Sequence, residues 1–178
     1  MPDELEAFGE AVECHKNRLF TFALYFLGDR SQAEDVTQEV LLKLWRNWRK
    51  LDGVDVAAWL TTVTRNASYD ALRVRQRART RLRSLDETVH AVPDDRPDPA
   101  RRAASSQLGR RLEEALRELA EPYRSILILR EIQQLPHQEI ASTLGMQLST
   151  VKVYAHRGRK KLRELLSDDL DGEVSDAS

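Results

Sequence analysis

One cysteine, Cys14, occurs in 178 residues. No disulfide can close within the chain, and no cysteine-based metal site can be assembled. Cys14 stands beside His15, yet no second pair of ligands follows nearby. A buried thiol next to a surface histidine is the expected arrangement. The four histidines, His15, His90, His137 and His156, are scattered singly. No glycine-rich phosphate loop and no nucleophile–base spacing appears, so neither an enzyme nor a cofactor is expected. Seven glycines and six prolines leave little material for tight turns, which favours helices. No apolar run approaches the roughly 20 residues of a membrane-spanning helix. The opening MPDELEAFGE is acidic, unlike a leader peptide. The expectation is a cytoplasmic protein without membrane insertion.

Net charge is −1, which by itself argues against nucleic acid. Its distribution argues the other way. Between Arg65 and Arg83 lie seven arginines (65, 73, 75, 77, 79, 81 and 83) and only one acid, Asp70. Between Lys152 and Arg163 lie six lysines or arginines and no acid. The balancing acids sit at the start, around Asp86–Asp98, and after Asp168. Two basic clusters in a neutral chain imply two separate phosphate-contacting surfaces.

Apolar residues recur at helical intervals from Ala7 to Leu27, predicting one long helix or a helix pair ending at Gly28. Ser31–Glu34 has the form of a capping box and predicts a helix start there. Val36, Val40, Leu44, Trp48 and Leu51 then make an apolar stripe, widened by Leu41 and Trp45. The opposite face carries Asp35, Gln38, Glu39, Leu42 and Arg46. It reads either as a solvated face with a Glu39–Lys43 pair or, given Leu42, as a partner surface.

A third helix is predicted from about Val56 to Arg77, with Asp55 as its cap and Leu60, Val63, Ala67, Ala71 and Val74 buried. On another face, Thr62, Asn66, Tyr69, Arg73 and Arg77 follow the same progression. A ring, an amide and guanidinium groups in one line suit single-stranded nucleic acid: bases stack, base edges bond, phosphates pair. The alternative is that Tyr69 caps the core and the arginines are merely solvated. Residues 84–106 combine Pro93, Pro97 and Pro99 with acids and no apolar period, which predicts an extended linker.

Helical periodicity returns with Leu108, Leu112, Ala115 and Leu119, and Pro122 and Pro136 each suit the opening of a further helix. Within Leu135–Leu166, Ala141, Gly145 and Val151 stand four and ten residues apart. A helix-turn-helix requires a small residue at the crossing, a left-handed residue in the turn, and an apolar residue returning from the second helix. Ser149 is the expected N-cap of that second helix. The tail after Leu166 is acidic and nearly free of apolar residues, so disorder is expected. The predicted fold is all-α: a helical domain over 1–83, a flexible linker over 84–106, a helix-turn-helix domain over 107–167, and a disordered tail over 168–178.

Three blocks carry a resemblance: AEDVTQEVLLKLW (33–45), AWLTTVTRNASYDALR (58–73) and LREIQQLPHQEIASTLGMQLSTVKVYAHRGRKKLRELL (129–166). In this order they resemble the bacterial extracytoplasmic-function sigma factors, group 4 of the primary sigma factor family. That resemblance implies a promoter-specificity subunit of RNA polymerase with no catalysis of its own. Its partners would be core RNA polymerase, through the coiled coil of the largest catalytic subunit and the flap, promoter DNA, and an anti-sigma factor. Asp35, Gln38, Glu39 and Leu42 match the positions that dock on the core. Asn66 matches a base-contacting amide in the block that recognises and melts the −10 element, with Arg73 in its basic flank. The linker would thread towards the active-site cleft and the RNA exit path. The last block matches the −35 reader, with Lys152, Val153, His156 and Arg157 nearest the DNA. Ser149 and Thr150 would meet phosphate at the helix start, and Arg159 and Lys160 would contact phosphate or stay solvated. Val153 and Tyr154 stand where many relatives have Ser and Arg, so the −35 sequence does not carry over. A stand-alone helix-turn-helix regulator would explain Leu135–Leu166 but not the Asn66 stripe or the Asp35–Leu42 face. A nucleic-acid enzyme would need a site that no motif supplies.

Overall fold

Gly28 sets the first corner. Its φ is +70°, a left-handed conformation that glycine adopts without penalty, and its N–H closes on the Leu24 carbonyl at 2.8 Å. In the computed structural model, which describes residues 2–85 and 107–175, α1 (Pro2–Leu27) ends at this corner as one continuous helix. Asp29 caps α2 (Arg30–Asn47), accepting the Gln32 N–H at 2.9 Å. The capping-box start expected at Ser31 therefore lies two residues late. The carboxylate next to the glycine reaches the free N–H first, and Glu34 pairs with Arg30 at 2.9 Å instead. A 3₁₀ turn (Trp48–Lys50) follows. Asp55 then caps α3 (Val56–Leu85) as expected, accepting from the Ala58 N–H at 3.0 Å.

These helices bury Leu19, Phe22 and Phe26 against Val36, Val40, Leu44 and Leu60. Thr64 and Ser68 are also buried, and the Thr64 hydroxyl donates to the Leu60 carbonyl at 2.8 Å. Val74, expected in this core, is instead 66% exposed. It borders an open groove whose other wall, on α2, is made by the polar side chains of Gln32 and Glu39. Cys14 also reverses expectation: it is exposed, while its neighbour His15 is half-buried.

The second half comprises α4 (Gln107–Glu118), a short α5 (Tyr123–Leu127), a π-helical turn (Ile128–Ile132), α6 (His137–Leu144) and α7 (Leu148–Ser175). Among the described residues there is no strand, and the architecture is all-α. Leu116, Leu119, Ile126–Leu129, Ile140, Val151 and Ala155 form its buried centre, while Leu108, expected inside, is 71% exposed near the start of α4. Ala141 is buried at the helix crossing, Gly145 takes φ +63°, and Val151 is fully buried, as the helix-turn-helix spacing requires. Because α7 starts at Leu148, Ser149 lies inside its first turn and is not the cap; the Val151 N–H already bonds the Gln147 carbonyl at 3.0 Å. The helix runs on to Ser175, so most of the stretch expected to be a disordered tail continues it. Propagating a helix that is already nucleated adds a hydrogen bond per residue at little further cost. The helix α3 likewise passes the expected domain boundary by two residues, and the rest of the expected linker lies outside the described residues.

The two halves share one continuous apolar core. Arg18 donates to the Gln133 side-chain oxygen at 2.9 Å, and the Gln133 amide returns a bond to the Arg18 carbonyl at 3.0 Å. Arg124 lies over the Phe26 ring, 5.0 Å from its centroid, and donates to the Phe26 carbonyl at 3.3 Å. At Gly28 the Arg117 side chain fills the space a β-carbon would need.

Candidate nucleic-acid interface

Helix α7 sorts its side chains into two faces. Val151, Ala155 and Gly158 are buried, and Gly158 lets the helix approach α5 so closely that a β-carbon there would come within 3.3 Å of Leu127. Tyr154 joins this inner side, edge-on to Tyr123 at 5.4 Å. Ser149, Lys152, Val153, His156, Arg157 and Lys160 are exposed, while Thr150 is half-buried. The expected −35 residues thus gather on one outward face, apart from Thr150 at its margin. Arg159 turns aside to pair with Glu131 at 3.4 Å, Lys160 lies 3.8 Å from Glu164, and Lys161 covers the Tyr123 ring at 4.7 Å. At Tyr154, one of the departures from many relatives, the ring packs inward and is half-buried.

On α3, Asn66, Tyr69, Arg73 and Arg77 are all exposed. Tyr69 is 44% exposed. Arg73 stands 3.6 Å from Asp70. Thr62, the first member of the stripe, is half-buried, and its one hydroxyl proton is shared between the Ala58 carbonyl of its own helix and the Thr143 carbonyl of α6, each at 3.0 Å. Arg65, which sequence reasoning placed only among the basic residues, also turns towards the other half. Its guanidinium donates to Ser125 Oγ at 3.1 Å and pairs with Glu121 at 3.0 Å. Glu121 also accepts from the Ser125 N–H and hydroxyl, at 3.2 and 2.7 Å. No local pattern signals such a contact, since the partners are 56 and 60 residues away.

On α2, Asp35, Gln38 and Glu39 are exposed, Leu42 is 55% exposed, and Glu39 pairs with Lys43 at 2.6 Å. Trp45, expected to widen the buried stripe, is 52% exposed. It continues the outward line of positions 35, 38 and 42, a helical spacing that the sequence did contain. One edge of its indole is covered by Phe8, 4.9 Å away, and Leu5 and Trp48 flank the same groove. Among the described residues no cluster of three or more His, Cys, Asp or Glu side chains could hold a metal ion, and no helix is long and apolar enough to cross a membrane.

Two histidines are held below the ordinary value of 6.5. Burial lowers His15, helped by Arg18 and opposed by Asp55. Burial also lowers His137, helped by Arg130, Arg159 and Lys152 and opposed by Glu131. Folding therefore favours the neutral form of both, and the unfolded chain takes up their protons first. Stability from these groups is present above about pH 6.5 and declines as pH falls below it. Urea midpoints should drop between pH 7.5 and 5.5, and the double change His15→Gln, His137→Gln should flatten that drop.

Two family models match this chain: Sigma-70 region 2 over residues 11–78, and Sigma-70 region 4 over residues 109–162. The ECF RNA polymerase sigma factor SigX of Bacillus subtilis is 32% identical over 175 residues, covering 95% of this chain and 90% of that protein. The chain belongs to the ECF RNA polymerase sigma factors. The RNA polymerase sigma-E factor of Streptomyces coelicolor is similarly close, 31% identical, with 96% and 93% covered. The chain spans 63% of the length of another ECF sigma factor, SigE of Mycolicibacterium smegmatis, at 34% identity. Among solved structures, the sigma factor RpoE of Bartonella quintana, in complex with the anti-sigma factor NepR, aligns with a TM-score of 0.69 and 26% identity. That alignment covers 91% of this chain and 98% of RpoE. In this sigma factor the region 2 match spans α2 and most of α3, and the region 4 match takes in the helix-turn-helix.

Proposed function

We propose that this sigma factor binds core RNA polymerase and directs it to promoters, contributing recognition and strand opening while the polymerase performs the chemistry. Asp35, Gln38, Glu39 and Leu42 dock on the core. Thr62, Asn66, Tyr69, Arg73 and Arg77 meet the −10 region, where opened bases stack on the Tyr69 ring and bond the Asn66 amide. Ser149, Thr150, Lys152, Val153, His156, Arg157 and Lys160 meet the −35 duplex in its major groove. The observation that carries this reading is the pairing of an exposed amide–ring–guanidinium stripe on α3 with an exposed basic face on α7. A duplex-binding regulator would need only the second. The protein acts in the cytoplasm, where the polymerase works. An anti-sigma factor is proposed as its regulator, the class of partner named for the Bartonella quintana relative.

The test is transcription from a cognate promoter by purified core polymerase with and without this protein. Such promoters can be found by sequencing the transcripts made on fragmented genomic DNA. A transcript that depends on the protein supports the proposal. Strong binding of that promoter by the protein alone, with no transcript when core is added, refutes it in favour of a stand-alone regulator.

A further inference from the structure

Where the start of α1 meets the end of α2, an open groove collects aromatic and cationic side chains. Its volume is about 770 Å³, within the range of about 300–1,000 Å³ found for small-molecule sites. Leu5, Trp45 and Trp48 supply the apolar wall, and Phe8 makes T-shaped contacts with both indoles, at 4.9 and 5.5 Å. Trp45 is nonetheless 52% exposed, which leaves ring surface for a further planar group to cover. Among the described residues that line the groove, Arg46, Arg49 and Lys50 are cationic and Glu4 alone is acidic. All three cations are exposed, and Arg49 reaches across to Glu4 at 2.7 and 3.2 Å. An exposed bridge of this kind is weak, so an incoming phosphate displaces Glu4 readily. The next acids of α1, Glu6, Glu10 and Glu13, follow at helical spacing on another, exposed face.

We infer that this groove binds a free purine nucleotide, with the base stacked on Trp45 and the phosphates held by Arg46, Arg49 and Lys50. An aromatic wall takes the flat face of a base, and guanidinium groups match phosphate oxygens in pairs. A purine's two fused rings are close in area to an indole. A strand of nucleic acid would need a basic track leading away from the groove. Along α2 the next outward residues are instead Leu42, Glu39, Gln38 and Asp35, and Lys43 is paired with Glu39 at 2.6 Å. Positive charge is therefore confined to the groove, which suits one small anion. Trp45 also continues the outward line of positions 35, 38 and 42. A nucleotide stacked on it covers the end of the proposed docking face, so nucleotide and core polymerase compete. That consequence rests on the functional reading above, whereas the site itself does not.

Equilibrium dialysis of the whole chain against ADP tests the site, with adenosine as the ring-only probe and pyrophosphate as the phosphate-only probe. One ADP per chain is expected, bound more tightly than either probe. Trp45→Ala should weaken ADP between about 5-fold and 150-fold, the contribution of one base stacked on a ring. Trp45→Phe, which keeps a ring, should retain most of the binding and serves if the alanine variant loses its helical circular dichroism. Arg49→Gln should weaken ADP about tenfold, the scale of a hydrogen bond to a charged group, and leave adenosine unchanged. At an ADP concentration of about ten times Kd, apparent core affinity should fall about tenfold, but no more than about twofold in Arg49→Gln, which lies outside the proposed docking residues. Absence of ADP binding, or ADP binding unchanged by folded Trp45→Ala and Arg49→Gln, overturns the site. So does adenosine binding as tightly as ADP. A short oligo(dA) that binds far more tightly than ADP, and through Trp45, overturns the free-nucleotide assignment in favour of a strand. Bound ADP that leaves core affinity unchanged overturns the competition. If the protein fails to bind core without ADP, the functional reading fails instead, and the dialysis result still decides the site.

Discussion

Replacing Phe26 with alanine is expected to cost about 3–5 kcal/mol of folding stability, the range for removing a fully buried ring. Phe26 is 1% exposed and stacks on Phe22 with ring centroids 5.7 Å apart. The same ring carries the Arg124 guanidinium, so truncation leaves a cavity and strips a half-buried cation of its aromatic platform. Urea unfolding followed by circular dichroism measures the loss. Leu42→Ala is the comparison: with 55% of Leu42 exposed, its effect should stay within about 0.5 kcal/mol. A Phe26→Ala protein as stable as Leu42→Ala would mean that the two halves are not joined through this ring.

Tyr69→Ala is expected to reduce promoter opening by between about 5-fold and 150-fold, the equivalent of the roughly 1–3 kcal/mol that one base gains by stacking on an aromatic side chain. The ring is nearly half exposed and Asn66 is exposed a turn before it, so the loss should fall on strand opening more than on folding. Permanganate reactivity of thymines near the −10 element reports opening, and gel shift at low temperature reports the closed complex. The expected result is reduced reactivity with closed-complex formation retained. Normal opening by the variant would place the unpaired bases elsewhere on the chain.

The parts of this structure legible in the sequence are those governed by local rules. Ala141, Gly145 and Val151 announced the helix-turn-helix because each obeys a constraint acting within ten residues. The Asp35–Leu42 face and the Asn66 stripe were legible because helical spacing sorts residues onto faces. Local rules failed where neighbours decide. Asp29 displaced Ser31 as a cap because the glycine corner placed its carboxylate first. Val74 follows the apolar period but faces Gln32 and Glu39 of α2 across an open groove and stays exposed. Trp45 is apolar by type, but its place in the helical period already points it outward. Arg65 joins the two halves of the chain through partners no pattern could foretell, and the core that the halves share is invisible in the sequence for the same reason.

The π-helical turn at Ile128–Ile132 has a consequence of its own. Its wide ring lets the Gln133 N–H bond the Ile128 carbonyl at 3.0 Å, one residue further back than an α-helix allows. Gln133 closes this turn, and its side chain accepts from Arg18 at 2.9 Å and donates to the Arg18 carbonyl at 3.0 Å. One contact between the halves is thus made by the residue that closes the turn, so it depends on the number of residues in the turn as well as on their kinds. Deleting Arg130 or Glu131 would preserve every apolar character in the segment and still move Gln133 away from Arg18.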